Sequence, residues 1–174
     1  LAANPYDPLH MFVVIALSQN TDFHRNVVKW CRALWRISPD PLEASTKAWT
    51  VGRSYQLTRL VSLTECAARA TRGPPRDVRR RLLSCKGIGP KTADAFLLFA
   101  MAVPEAAPID KHFTRMCSRL GLWGGASPPS KPLCVRYDCE SCPRNNKCFR
   151  YLAFKGLGSL AGWVQTAFYV HDRE

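Results

Sequence analysis

Residues 84–94 read SCKGIGPKTAD, and this stretch constrains the fold more than any other. Gly87, Ile88 and Gly89 are followed at once by Pro90 and Lys91. Glycine tolerates positive φ and lets another backbone approach closely. Proline suits the first helical position, where its missing N–H costs nothing. The pattern predicts a basic helix over about 76–84, a tight turn pinned to the core by Ile88, and a second helix over about 91–102. The exposed N–H groups at the start of that second helix, with the positive end of its dipole, can cradle a phosphate oxygen. An ordinary tight turn is the bland alternative.

Charge favours the phosphate reading. The 174 residues carry a formal net charge of +12, and the pI is about 9.7, which calls for a polyanionic partner. Residues 69–91 hold Arg69, Arg72, Arg76, Arg79, Arg80, Arg81, Lys86 and Lys91 against the single acid Asp77, a net +7 that runs into the glycine turn. A solvated helix face explains an isolated run of this kind. A run that ends in a phosphate-friendly turn points to nucleic acid held by its backbone, without sequence reading. The candidate contacts are Arg80, Lys86, Gly87, Ile88 and Gly89.

The rest of the chain reads as short helices. Residues 9–19, LHMFVVIALSQ, form a buried helix ending near SQNTD, where Thr21 or Asp22 can cap the next one. Residues 23–36 put Val27, Val28, Cys31, Leu34 and Trp35 at helical spacing. ISPDPLEAST reads as a loop, 55–70 as a helix, and Asp110 opens another in KHFTRMCSRLGL. GGASPPSKP is a linker, and SLAGWVQTAFYVHD is a terminal helix. Strand alternation and repeats are absent, so the expected class is all-α with seven to nine helices. A helical domain over 1–125 and a cysteine loop with a C-terminal helix over 126–174 are the expected units. No secretory signal is visible, and no uncharged apolar run approaches the ~18 residues a membrane span needs. A soluble intracellular monomer without a membrane partner is expected, in the cytoplasm and nucleoid or, in a eukaryote, the nucleus.

The eight cysteines fall into two sets. Cys31, Cys66, Cys85 and Cys117 sit beside apolar residues and read as buried small hydrophobes. Cys134, Cys139, Cys142 and Cys148 crowd into fifteen residues, spaced C-x4-C-x2-C-x5-C. Four thiolates this close can surround one soft metal centre in a reducing compartment. A compact loop favours a [4Fe–4S] cluster over zinc, since zinc ribbons usually separate two CxxC pairs by a dozen residues or more. Arg144 and Lys147 make the loop basic, so it too can contact phosphate.

Lys91 sits at a helix start, the unfavourable end for a cation. That dipole, with partial burial, makes an amine a better nucleophile. A phosphate-binding lysine is the equal alternative. Asp110 follows nineteen residues later, in APIDKHF. It reads as an N-cap, and a helix with a return loop can bring it back beside Lys91.

From LLSCKGIGPKTADAFLLFAMAVPEAAPIDKHFTRMCSRL, the chain resembles the endonuclease III superfamily of helix-hairpin-helix DNA glycosylases. VVIALSQNTD upstream and the four-cysteine loop downstream extend the resemblance over roughly residues 5–150. It implies an all-α helix-hairpin-helix DNA glycosylase fold with a small iron–sulfur cluster loop. It implies base excision on double-stranded DNA holding a damaged base or an abasic site. Lys91 would attack the sugar carbon C1′, and the resulting Schiff base would permit β-elimination. Asp110 would activate the lysine, and Gln19 would fill the gap left by the extruded base. Asn20 and His112 are candidates for the lesion pocket. Oxidised or deaminated pyrimidines come first as substrates, and 8-oxoguanine is the alternative. A non-catalytic metal-containing DNA-binding module is the alternative of another class.

The chain departs from the superfamily pattern in two places. The first cysteine gap is two residues shorter than the usual C-x6-C, which keeps zinc open. Cys117 and Cys134 are only seventeen residues apart, where some fifty usually intervene, and the terminal helix follows the cysteines instead.

Overall fold

A computed structural model describes residues 3–172, and among them there is no strand, only the isolated bridge between Ser127 and Cys148. The described α-helices are α1 (Pro8–Leu17), α2 (Val28–Ile37), α3 (Pro41–Thr46), α4 (Tyr55–Ala70), α5 (Pro75–Ser84), α6 (Pro90–Ala100), α7 (Lys111–Arg119), α8 (Lys131–Arg136), α9 (Phe149–Leu157) and α10 (Ala161–His171). The all-α class holds, and the α5–turn–α6 unit is consistent with the helix-hairpin-helix glycosylase fold. None of these helices is long and apolar enough to cross a membrane.

α1 is apolar nearly all round because it lies between α4 and α6, with Phe12 and Leu17 fully buried. Its partners supply Leu57, Leu60 and Leu63 from α4 and Phe96 and Leu97 from α6. A second apolar cluster joins Ile109, Phe113 and Cys117 to Phe149, Ala153 and Ala161. The short linker therefore leaves α7, α9 and α10 room to pack together, and the terminal helix docks on α7.

Three segments differ from the sequence expectation. PLEAST is α3, not a loop, because the Asp40 side chain caps it by accepting the Leu42 and Glu43 N–H groups and Pro41 opens it. The cysteine region contributes two helices, α8 and α9, where a loop was expected. Phe23–Val27 forms a π-helical turn before α2, capped by the Asp22 carboxylate on the Arg25 N–H.

Cys66 and Cys85 are also not two free thiols: they form a disulfide that ties α4 to the residue ending α5. Apolar neighbours gave no hint of a partner nineteen residues away. Cys31 and Cys117 do behave as small hydrophobes, and burial pushes both thiols up to about 11.

The hairpin is fixed from several sides. Ile88 is buried, as the turn chemistry predicts, and Gly87 takes φ of 88°, a conformation that favours glycine. Lys131 Nζ donates to the Cys85 carbonyl at 2.9 Å, placing a cation at the C-terminal end of α5. Beneath the turn, the fully buried Asp94 of α6 accepts from Arg79 of α5 at 2.6 Å and from Arg150 of α9 at 2.9 Å. Burial alone would raise its carboxyl, but the Arg150 and Arg79 guanidiniums hold it below the usual carboxylate range.

Replacing Asp94 by asparagine leaves two guanidiniums without their anion, which should cost about 3–5 kcal/mol of unfolding free energy in urea titrations. A depressed carboxylate stabilises the fold above its unfolded value near pH ~3.9. The deficit of Asp94→Asn should therefore be full at neutral pH and shrink as the pH falls through the folded value.

Candidate active site

Lys91 is the second residue of α6, after the N-cap Gly89 and Pro90, so the turn that ends the hairpin also aims the lysine. Its Nζ stands 3.9 Å from Asp110 Oδ2. The other oxygen, Oδ1, accepts the Phe113 backbone N–H at 2.9 Å and caps α7. One oxygen of this carboxylate thus caps α7 and the other lies beside the lysine. The Asp110 side chain is 4 % exposed and that of Lys91 51 %, so a nearly buried anion faces an amine open to a cleft. The separation exceeds a hydrogen bond, which leaves the amine free to turn toward a third atom.

Both residues line a cavity of about 290 Å³. Ile15 and Ser18 close it from the end of α1, Thr21, Phe23 and His24 from the π-helical turn, and Ala95 and Phe99 from α6. The fourth wall is α10, through Gln165, Thr166, Tyr169 and Val170. Gln165 is buried, and among the described residues nothing pairs with its side-chain amide. An amide and hydroxyls set among apolar groups can recognise a flat polar heterocycle. Sequence reasoning missed Gln165, Phe23 and Tyr169. The signal for Gln165 was present: Gln165 and Thr166 are the polar pair in the apolar run AGWVQTAFYV.

Other expected residues fall beside the cavity. Gln19 lies in the turn between Ser18 and Thr21, and its Nε2 donates to Thr92 Oγ1 of α6 at 3.3 Å. Its carbonyl accepts from Tyr55 Oη at 3.0 Å and Gln56 Nε2 at 2.9 Å, so the start of α4 fixes this turn. Asn20 is exposed at φ of 50° and does not line the cavity; asparagine is among the residues that tolerate this backbone. His112 is also outside the lining. Its Nδ1 pairs at 2.7 Å with the Asp172 carboxylate, which Arg115 and Arg119 also hold. Burial works against that anion, yet the His112 hydrogen bond and the two arginines keep its carboxyl below the ordinary range. His112 therefore secures α10 and does not face the cleft.

Lys86 is exposed on the turn with Gly87 and Gly89 partly exposed, whereas Ile88 reaches the core and not the surface. Arg80 donates to Asp138 at 3.2 Å, sharing that carboxylate with Arg76, so the one anion offsets only part of the pair's charge. Arg144 donates to Ser127 Oγ at 2.9 Å, and Lys147 is exposed.

The four-cysteine segment has soft-metal donors but not their convergence. Cys134 and Cys139 line a cavity of about 630 Å³ with Arg76, Arg79, Arg80 and Arg150. Arg150 donates to Cys139 Sγ at 2.6 Å. Cys142 and Cys148 lie outside that lining, and among the described residues no three His, Cys, Asp or Glu side chains gather as a metal site.

No protein-family model matches the chain. The N-glycosylase/DNA lyase of Saccharomyces cerevisiae is 32 % identical to it over 94 residues, 51 % of this chain. The chain spans 25 % of that protein's length. The similarity supports a relationship to DNA glycosylase/lyases.

The two roles of Asp110 separate by substitution. Asparagine caps a helix about as well as aspartate, so Asp110→Asn should keep stability within roughly 0.5 kcal/mol, while Asp110→Ala should lose about 1 kcal/mol. If the carboxylate serves the lysine, both variants should lose at least about a hundredfold in excision rate. Full activity in Asp110→Asn would leave only the cap.

Proposed function

We propose that the chain is a bifunctional DNA N-glycosylase and AP lyase of the endonuclease III superfamily. It acts on double-stranded DNA that holds a damaged base or an abasic site. The observation that carries this reading is the Lys91 amine, 3.9 Å from a nearly buried Asp110, in the wall of a cavity beside the glycine turn. An amine and a carboxylate over a phosphate-gripping turn have the parts of a nucleophile and its proton partner.

The target base leaves the stack, at a cost of a few kcal/mol, and enters the cavity. There the Gln165 amide faces its polar edge, and Phe23 and Tyr169 offer ring surfaces, while Gln19 fills the gap in the duplex. The Lys91 Nζ lone pair bonds to C1′ as the C1′–N bond breaks. The base departs with that electron pair and takes up a proton. Asp110 Oδ2 accepts the proton shed by the attacking nitrogen, and its charge offsets the positive charge growing on the sugar. Opening of the sugar ring leaves an imine between Nζ and C1′. Loss of a C2′ proton then expels the 3′ phosphate, which cuts the strand, and water releases the lysine.

Oxidised or deaminated pyrimidines are the first substrates proposed. The cavity has room for a two-ring base, and this observation keeps 8-oxoguanine as the second reading. Such an enzyme works where the DNA is, in a nucleoid or a nucleus. The spacing of Cys134, Cys139, Cys142 and Cys148 supports a [4Fe–4S] cluster, with zinc second, as a structural group that holds the basic loop rigid. The excision steps use only Lys91, Asp110 and the cavity wall.

Borohydride added to the protein and abasic-site DNA should trap a covalent adduct, and Lys91→Gln should abolish it. Trapping unchanged by that substitution removes the role given to Lys91. With about five phosphates neutralised, log affinity should fall against log salt with a slope of roughly −4 to −5. A brown protein with broad visible absorption is expected if iron and sulfur are bound, and a colourless one containing zinc would reverse the order of the two metals.

A further inference from the structure

Most arginines near the hairpin are spoken for: Arg76 and Arg80 by Asp138, Arg79 and Arg150 by Asp94. Arg59 is different. It is exposed on α4, and among the described residues no carboxylate pairs with it. Yet its guanidinium is not adrift in solvent. It lies over the glycine turn, in the space where a side chain on Gly87 would begin. A Cβ there would collide with Arg59 Nη2 and approach Leu63 Cδ2 to 3.3 Å. The positive φ of Gly87 favours glycine, and the room it leaves is occupied by an arginine from another helix.

The placement is built into α4. Arg59, Leu63 and Cys66 follow one another at helical spacing along one face. Cys66 is bonded to Cys85, Leu63 packs in the core against the turn, and Arg59 ends the row over Gly87. Guanidinium is the weakly hydrated, forked donor suited to phosphate oxygens.

We propose that Arg59 is a further DNA phosphate ligand, binding from α4 the same backbone segment that the hairpin turn and Lys86 engage. The inference rests on the DNA-binding reading above and adds a residue outside the hairpin. Sequence gave no access to it, since Arg59 precedes Gly87 by twenty-eight residues in an ordinary amphipathic helix.

The test uses the full chain and a duplex with a tetrahydrofuran abasic analogue, titrated over a range of salt concentrations. Arg59→Ala should bind several-fold more weakly at low salt, with a log–log slope shallower by about 0.9, one phosphate's share. Arg59→Lys should keep the slope and recover part of the affinity. Arg32→Ala, which removes an exposed charge from α2, should move neither. Methylphosphonates placed singly along the duplex should reveal one position where neutralisation weakens the wild type but not Arg59→Ala. A slope for Arg59→Ala equal to the wild type's, or no such position, overturns the proposal. Borohydride trapping at saturating protein, on a second duplex that holds a true abasic site, separates the two readings. If Arg59→Ala and wild type both trap while the slope is unmoved, only the role of Arg59 falls. If wild type neither traps nor binds, the DNA reading falls with it.

Discussion

The arrangement depends on one buried anion. Asp94 sits on α6, one helical turn beyond Lys91, and its carboxylate draws in Arg79 from α5 and Arg150 from α9. A lone carboxylate in that position would be costly, and so would two lone guanidiniums. Together they lock the two hairpin helices to each other and to the segment that follows the cysteines. Arg79 and Arg150 also lie beside Cys134 and Cys139, so the cysteine segment and the lysine-bearing helix share one ion cluster. The lysine is aimed by a turn, and the turn is held by helices that this cluster fixes.

Around that cluster the site is assembled from parts far apart in the chain. The end of α1 and the π-helical turn provide one side, α6 and Asp110 the floor, and α10 the far wall. The Asp172 clasp, with His112, Arg115 and Arg119, keeps α10 against α7, the helix that Asp110 caps. The carboxylate facing Lys91 and the far wall of the cavity are therefore set by the same packing of α7 on α10.

What the sequence revealed was local. Helix 55–70 was legible from apolar spacing, and the hairpin from its glycines and proline. The pairing of Lys91 with Asp110 was legible because a helix and a return loop permit it and the resemblance of this stretch to a known superfamily singles it out. What stayed hidden was long-range. The Cys66–Cys85 bond, the turn of His112 toward Asp172 and the capture of Arg80 by Asp138 all join residues whose neighbours in sequence carry no mark of the partner. Gln165 lay between: its polarity on an apolar helix was visible, but which cavity it would face was not. PLEAST misled because Pro41, with Pro39 and Asp40 just before it, reads equally as a loop or a capped helix, and burial of Pro41 and Ala44 decided it.

The wall formed by α10 belongs to the second apolar cluster and not to the one beneath the hairpin. On the proposed reading, the surface that admits a base would rest on the second cluster while Lys91 stands on the first, with Asp110 at the head of α7 joining the two. Substitutions at Gln165 or Thr166, which line the cavity, would then retune which heterocycle is admitted while Lys91 keeps its place on α6. If the proposed reading holds, a lineage would broaden or narrow its repertoire of lesions through a handful of positions on α10.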